Sequence, residues 1–262
     1  MARNSLKNVI RLLNESNEQL SVETLFLKDL KRSMELSDEK QQRKPSQTYK
    51  PSGMNCMRQS YYQLVGITPD KVDSSYTLIG ICNSGTDIHE RVQEDVCRMS
   101  VNGMDCDYID VASYVHDRGL TDINIVSKQG METKLYNTRY NISFLCDGII
   151  RYRNHYYILE LKTESSYKWM NRTYVDSEHY KQAIAYSLSL GINEVIFVYI
   201  NRDIFDMKAY MFNVTDDMKQ GLIAYIDECD KYVEANIVPP KSESVAKKTC
   251  EYCQYKNTCR GN

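Results

Sequence analysis

Three residues have the types and spacing for metal-assisted chemistry: Asp147, Glu160 and Lys162, all within ISFLCDGIIRYRNHYYILELKT at positions 142–163. Strand-like patterning on either side of Arg153-Asn154 predicts a β-hairpin, Asn being tolerant of the positive φ that tight turns demand. With that dipeptide as the turn, Asp147 falls directly across from Glu160. Lys162, two residues on, projects from the same face. Directly opposed Cβ atoms stand about 4.5–5.5 Å apart, where two like charges are destabilising unless something neutralises them. Ile149, Ile158 and Tyr156 share that face, so the carboxylates do not sit on an obviously polar surface, and a divalent cation is the expected neutraliser. Carboxylate sites suit hard cations, Mg²⁺ or Mn²⁺, which keep several waters and also bind substrate phosphate. The chemistry that follows is phosphodiester hydrolysis, with Lys162 orienting the nucleophile or stabilising developing charge.

Four of the nine cysteines form a second constellation. Cys250, Cys253 and Cys259 spell C-x2-C-x5-C, and Cys56, in SGMNCMRQSYYQL, is the fourth by context. Zinc ribbons normally contribute two local pairs, so a three-plus-one set suggests an iron–sulfur cluster held by four thiolates, with structural Zn²⁺ as the alternative. Either would act as a staple across the region that carries the hairpin. Cys82, Cys97, Cys106, Cys146 and Cys229 lie in apolar or helical surroundings and read as small hydrophobic residues. Nine thiols without a secretion signal point to a reducing, cytoplasmic compartment.

The elements that must position these groups can be read from periodicity. A helix is expected over 76–99, its apolar face carrying Leu78, Ile81, Cys82, Ile88, Val92, Val96 and Met99. Strands are expected at 141–151, 155–163, 194–201 and 207–214, and helices over 177–190 and 216–235, the latter opened by Thr215 or Asp216. That order gives an α/β fold, a mixed central sheet flanked by helices. Residues 1–36 read as an N-terminal arm of two short amphipathic helices, on Val9, Ile10, Leu12 and Leu13 and then Leu25, Leu27, Leu30 and Met34. Residues 37–53, without a large aliphatic side chain, read as a linker, which leaves 54–262 as the main domain.

Bulk properties exclude more than they assert. No apolar run approaches the roughly 18 residues of a membrane span, and no repeat is visible. Residues 1–20 hold no apolar core of signal-peptide length, although Arg3, Lys7 and Arg11 precede any acid and weakly suit a transit peptide. With 33 Lys and Arg against 35 Asp and Glu, net charge is -2, so any hold on nucleic acid must be local. One basic stretch is present: residues 241–260 carry five cations and two acids, a net +3.

Five motifs, in this order, resemble the RecB-type branch of the PD-(D/E)xK nuclease superfamily, specifically the AddB-like and CRISPR-associated exonucleases with a four-cysteine iron–sulfur cluster. They are Gly85-x3-His89, Asp147, Glu160-Leu161-Lys162, Gln182-x3-Tyr186, and Cys56 with the C-x2-C-x5-C run. The resemblance spans residues 56–259 and implies a restriction-endonuclease-like core. It implies His89, Asp147, Glu160 and the Leu161 carbonyl as metal ligands, Lys162 as the group assisting the attacking water, and Gln182 and Tyr186 as positioning DNA or the lysine. Cys56, Cys250, Cys253 and Cys259 would hold a 4Fe–4S cluster. Departures from the pattern are Cys146, where the family has Pro before the aspartate, and Phe144, where related enzymes often have Gly.

The expected function is a Mg²⁺- or Mn²⁺-dependent deoxyribonuclease, an exonuclease rather than an endonuclease, in DNA processing, repair or recombination of a bacterial or phage-infected cell. No G-x4-G-K-S/T loop is present, so a helicase or other DNA-processing motor would be a separate partner. Two rivals stand beside this reading. One is a non-catalytic DNA-binding or assembly module on a nuclease scaffold, and the other a zinc-stabilised interaction protein in which the E-x-K is accidental.

Overall fold

A computed structural model describes residues 21–39, 45–70, 75–242, 245 and 247–261. The chain divides into two compact units, 1–42 with 73–80, and 43–72 with 81–262. In the first, α1 (Val22–Glu39) is helical and leaves Leu25, Phe26, Leu27 and Leu30 exposed. Lys31 Nζ lies 4.6 Å from the centre of the Tyr76 ring. The helix expected on Val9 to Leu13 lies outside the described residues.

The second unit is built on a five-stranded mixed sheet in the order β1-β5-β6-β7-β8. Its strands are β1 (Cys106–Ile109), β5 (Gly148–Tyr152), β6 (His155–Glu164), β7 (Glu194–Asn201) and β8 (Met207–Asn213). Within this sheet only β6 and β7 pair in parallel; β7 reads as a nearly continuous apolar run, as a strand covered on both faces does, whereas β6 turns polar from Glu160 onward. On one face Ile88, Val92, Val96 and Met99 of the long helix α3 (Tyr76–Val101) pack on Ile150, Leu159, Leu161 and Ile200. On the other lies the larger core, with α6 (Tyr180–Leu190) next to α7 (Asp216–Glu234), and α2 (Met57–Leu64) against α7. Thr215 caps α7 by accepting from the Met218 N–H.

A second, antiparallel sheet runs β2-β3-β4, from β2 (Ile123–Gln129), β3 (Glu132–Asn137) and β4 (Ile142–Cys146). The run expected as one strand over 141–151 is therefore two strands in different sheets, broken at Asp147. Strands β1, β2 and β3, and α4 (Val111–Asp117), carry too short or too polar a pattern to announce themselves.

Part of the segment expected to be a linker belongs to the core. Tyr49 is 1% exposed, bridges to Ile142, and donates its hydroxyl to the Ile226 carbonyl at 3.1 Å and to Asp230 Oδ1 at 2.6 Å. One buried aromatic with a satisfied hydroxyl anchors a stretch whose composition is otherwise that of a loop. The crossover from β6 to β7 carries α5 (Ser166–Met170) and is pinned by Arg172, which donates to Glu164 and Asp176 and lies over the Tyr199 ring. At the C-terminus, α8 (Lys247–Glu251) is followed by α9 (Lys256–Gly261), whose first amides are received by the Asp70 carboxylate.

Candidate active site

The turn that sets the site's register is the expected one. Arg153 and Asn154 both take positive φ, 48° and 66°, as a tight two-residue hairpin requires, and Tyr152 pairs with His155. The ladder runs back to Gly148 opposite Leu159, so the next position along places Asp147 across from Glu160. In the small sheet Thr133 pairs with Cys146, so the next position there places Glu132 across from the same Asp147. The aspartate thus stands where two ladders end.

Its backbone is held firmly. The Asp147 carbonyl accepts from Gln93 Nε2 at 2.6 Å and from the Tyr108 hydroxyl at 3.0 Å. Gly148 is required beside it, because a Cβ there would sit 2.6 Å from Tyr108 Cε2. The side chain accepts the Leu161 N–H on Oδ2 at 2.7 Å, and Oδ1 lies 3.8 Å from His89 Nδ1. Gly85 brings α3 close to β6: a Cβ at this position would lie 3.2 Å from Thr163 Oγ1.

Glu160 is 2% exposed. Its Oε1 accepts from Lys162 Nζ and from Gln182 Nε2, each at 2.6 Å, while its buried Oε2 has no partner among the described residues. Gln182 Oε1 in turn accepts from Lys162 at 3.0 Å, and the Gln182 amide also donates to the Tyr186 hydroxyl at 2.7 Å. Tyr186 passes the chain on to the Leu145 carbonyl at 2.7 Å and stacks on Phe144 at 4.7 Å. The i, i+4 spacing on α6 thereby becomes a relay that fixes the lysine, and Phe144 supplies its apolar support.

Electrostatics follow from this packing. Burial raises the Glu160 pKa against the opposing pull of Lys162. Burial would lower that of His89, but the close approach of the Asp147 carboxylate and the charges of Asp147 and Glu160 raise it overall. Glu132 is also raised, by burial and then by the Asp147 charge. Potential ligand atoms of His89, Glu132 and Asp147 all lie within 4.8 Å of one another, a group that could hold a metal ion. Glu132 was missed by sequence reasoning, since ETKLYN shows no strong strand pattern and its partner strand is invisible without the fold.

Three of the four cysteines, Cys56, Cys253 and Cys259, lie about the start of α2, and among the described residues no three of the four sulfurs come within 4.8 Å of one another. Cys56 precedes that helix, Arg58 Nη1 lies 3.5 Å from Cys259 Sγ, and Cys253 Sγ donates to Gln59 Oε1 at 3.7 Å. Burial pushes the Cys253 thiol up, opposed by the hydrogen bond it accepts from the Tyr255 N–H and reinforced by Cys56, Cys259 and Cys250. All nine cysteines are free thiols. Between the cysteines and the lysine relay lies a groove of about 340 Å³, lined by Ser52, Asn55, Gln59, Lys162, Glu178, His179, Gln182, Thr249, Tyr252 and Cys253. Among the described residues no helix is long and apolar enough to cross a membrane.

No family model matches the chain, and no curated protein matches it. Among solved structures it is similar to SSO0001, at 16% identity and a TM-score of 0.47, covering 89% of this chain and 96% of that one. It is also similar to the alkaline exonuclease LHK-Exo from Laribacter hongkongensis, at 11% identity, a TM-score of 0.44, and coverage of 78% and 93%. LHK-Exo in complex with dAMP gives 12% identity, a TM-score of 0.43, and coverage of 72% and 89%.

Proposed function

We propose that this chain is a divalent-metal-dependent deoxyribonuclease, acting as an exonuclease, with Mg²⁺ or Mn²⁺ held by His89, Asp147, Glu160 and the Leu161 carbonyl. The observation that carries the reading is Glu160: a buried carboxylate with one oxygen tied to Lys162 and Gln182 and the other without a partner. An unpartnered buried carboxylate oxygen is costly, and a hard cation is the group that satisfies it. Glu132 belongs with His89 and Asp147 to the group whose ligand atoms lie within 4.8 Å of one another, a group that does not include Glu160, so it would supply a carboxylate on the Asp147 side of the ion.

When bound, the metal would polarise the phosphodiester and lower the pKa of water. The protein's own part is positional. Asp147 is locked through its carbonyl by Gln93 and Tyr108 and through its side chain by Leu161. Lys162, held between Glu160 and Gln182, offers an ammonium beside the scissile phosphate, where it orients the attacking water and offsets the charge that develops on phosphate oxygens. At the other end, the thiols of Cys56, Cys250, Cys253 and Cys259 are the proposed ligands of a 4Fe–4S cluster, with structural Zn²⁺ as the rival occupant. Because the chain carries no nucleotide-binding loop, any strand separation falls to a separate helicase.

The test uses anaerobically purified protein and end-labelled single- and double-stranded DNA with Mg²⁺, Mn²⁺ or chelator. Wild type should release label only with metal, and the Glu160→Gln and Lys162→Ala variants should lose at least about 100-fold in rate while still retaining DNA. Variants that cleave at the wild-type rate would sink the assignment. DNA binding without cleavage under any metal would favour the scaffold reading. Metal and sulfide analysis of the same protein separates the iron–sulfur cluster from zinc.

A further inference from the structure

Tyr252 lies between Cys250 and Cys253 and is 76% exposed, yet it lines the same groove as Lys162 and Gln182. Among the described residues no ring contact or hydrogen bond engages it. The backbone that carries it is fixed on both sides. Thr249 Oγ1 donates to Glu178 Oε1 at 3.1 Å, the Gln254 carbonyl accepts the Asp70 N–H at 2.8 Å, and Tyr255 is 1% exposed and packs on Tyr62. A large flat ring is therefore presented on a rigid segment, unpartnered, at one end of a groove whose other end is the lysine relay.

We infer that Tyr252 is a stacking platform for an unpaired base, so that the groove takes a single-stranded DNA end and delivers its backbone to Lys162; this rests on the nuclease reading above. The groove is continuous with the candidate active site, and its volume of about 340 Å³ suits a nucleotide unit and not a duplex. Among the described residues Lys162 is the one Lys or Arg on its lining and can meet a backbone phosphate. The one carboxylate on the lining, Glu178, is engaged by Thr249. Aromatic stacking accepts any base, so the contact favours single strands without reading sequence. An anchored platform also loses little freedom on binding.

The experiment uses the full chain, with Ca²⁺ replacing Mg²⁺, and a single-stranded oligonucleotide carrying one 2-aminopurine placed at successive positions from each end. Wild type should quench the probe at one terminal position and bind the single strand more tightly than a blunt duplex of the same sequence. Tyr252→Ala should abolish the quench and weaken single-strand binding about 5- to 150-fold, with an unchanged melting temperature. Tyr252→Phe should retain both, and Tyr252→Leu, which keeps bulk without an aromatic face, should not. With Mg²⁺ restored, Tyr252→Ala should raise KM more than it lowers kcat. Equal binding and quenching by wild type and Tyr252→Ala would overturn the stacking role while leaving the nuclease reading intact. Quenching that depends on Tyr252, in a protein that cleaves DNA under none of the metals supplied, would uphold the groove and refute the nuclease. A wild-type protein that binds no DNA refutes both.

Discussion

Glu132 stands across from Asp147 at the end of the small sheet, one step beyond the Thr133 and Cys146 pair, just as Glu160 does at the end of the hairpin. Strand geometry alone thus gathers two glutamates, from strands in two sheets, about one aspartate. Each meets a like charge: the Asp147 charge contributes, after burial, to the raised pKa of both Glu132 and Glu160, although Lys162 offsets it at Glu160. Removing one charge should therefore have opposite effects with and without metal. Glu132→Gln should raise the melting temperature of the metal-free protein, because a like-charge repulsion is gone. The same variant should bind Mn²⁺ about tenfold or more weakly, because a ligand, or a group that orients one, is gone. Calorimetric titration with Mn²⁺ beside thermal melts in chelator measures both, and unchanged Mn²⁺ affinity would place Glu132 outside the centre.

Gly148 is where the small and large sheets part, and its lack of a side chain lets the Tyr108 ring close over the Asp147 backbone. In Gly148→Ala the added carbon would meet Tyr108 Cε2 at 2.6 Å, so the ring or the strand must move. Overpacking of this kind costs about 1–3 kcal/mol. Since Tyr108 and Gln93 together hold the Asp147 carbonyl, the displacement should reach the metal ligand. A lower melting temperature with weakened Mn²⁺ affinity is the expected pair of results. Full stability and full affinity would mean that the Tyr108 contact does not position the aspartate.

The hairpin was legible because its signals are local: a short polar break, apolar alternation on both sides, and a period of two that lets a turn fix which residues oppose. The Gln182 and Tyr186 pair was legible for the same reason, as neighbours on one helix face. What stayed hidden depends on pairing over long separations. Glu132 becomes part of the site only when β3 docks on β4, and ETKLYN opens on three polar residues. Tyr49 lies in a stretch whose composition is that of a linker, yet one buried ring bonded to Asp230 on α7 outweighs the polar residues around it. Phe144 reads as a departure from the family pattern, and only the folded arrangement shows it stacked on Tyr186.

His179 ties the groove wall to acid stability. Its ring stacks against Phe197 and Tyr199, and its Nδ1 lies 2.9 Å from the Tyr199 hydroxyl, which already accepts the Asp176 N–H. With Nδ1 accepting the hydroxyl hydrogen, the neutral imidazole carries its own proton on Nε2. Burial, and then the Lys162 charge, lowers the pKa to about 3; Lys168 and Arg172 add to this, and Asp176 opposes it. In the unfolded chain the imidazole protonates near pH 6.5. Between about pH 3 and 6.5 the unfolded state binds the extra proton, so the contribution of His179 falls with falling pH by up to about 1.4 kcal/mol per pH unit and is fully present above 6.5. His179→Asn keeps an acceptor near the Nδ1 position but cannot titrate. Urea denaturation at a series of pH values should show a shallower loss of stability for this variant between pH 6 and 4, although its loss of stacking makes it less stable at neutral pH. Parallel curves for variant and wild type across that window would mean that His179 takes its proton in the folded state as easily as in the unfolded one.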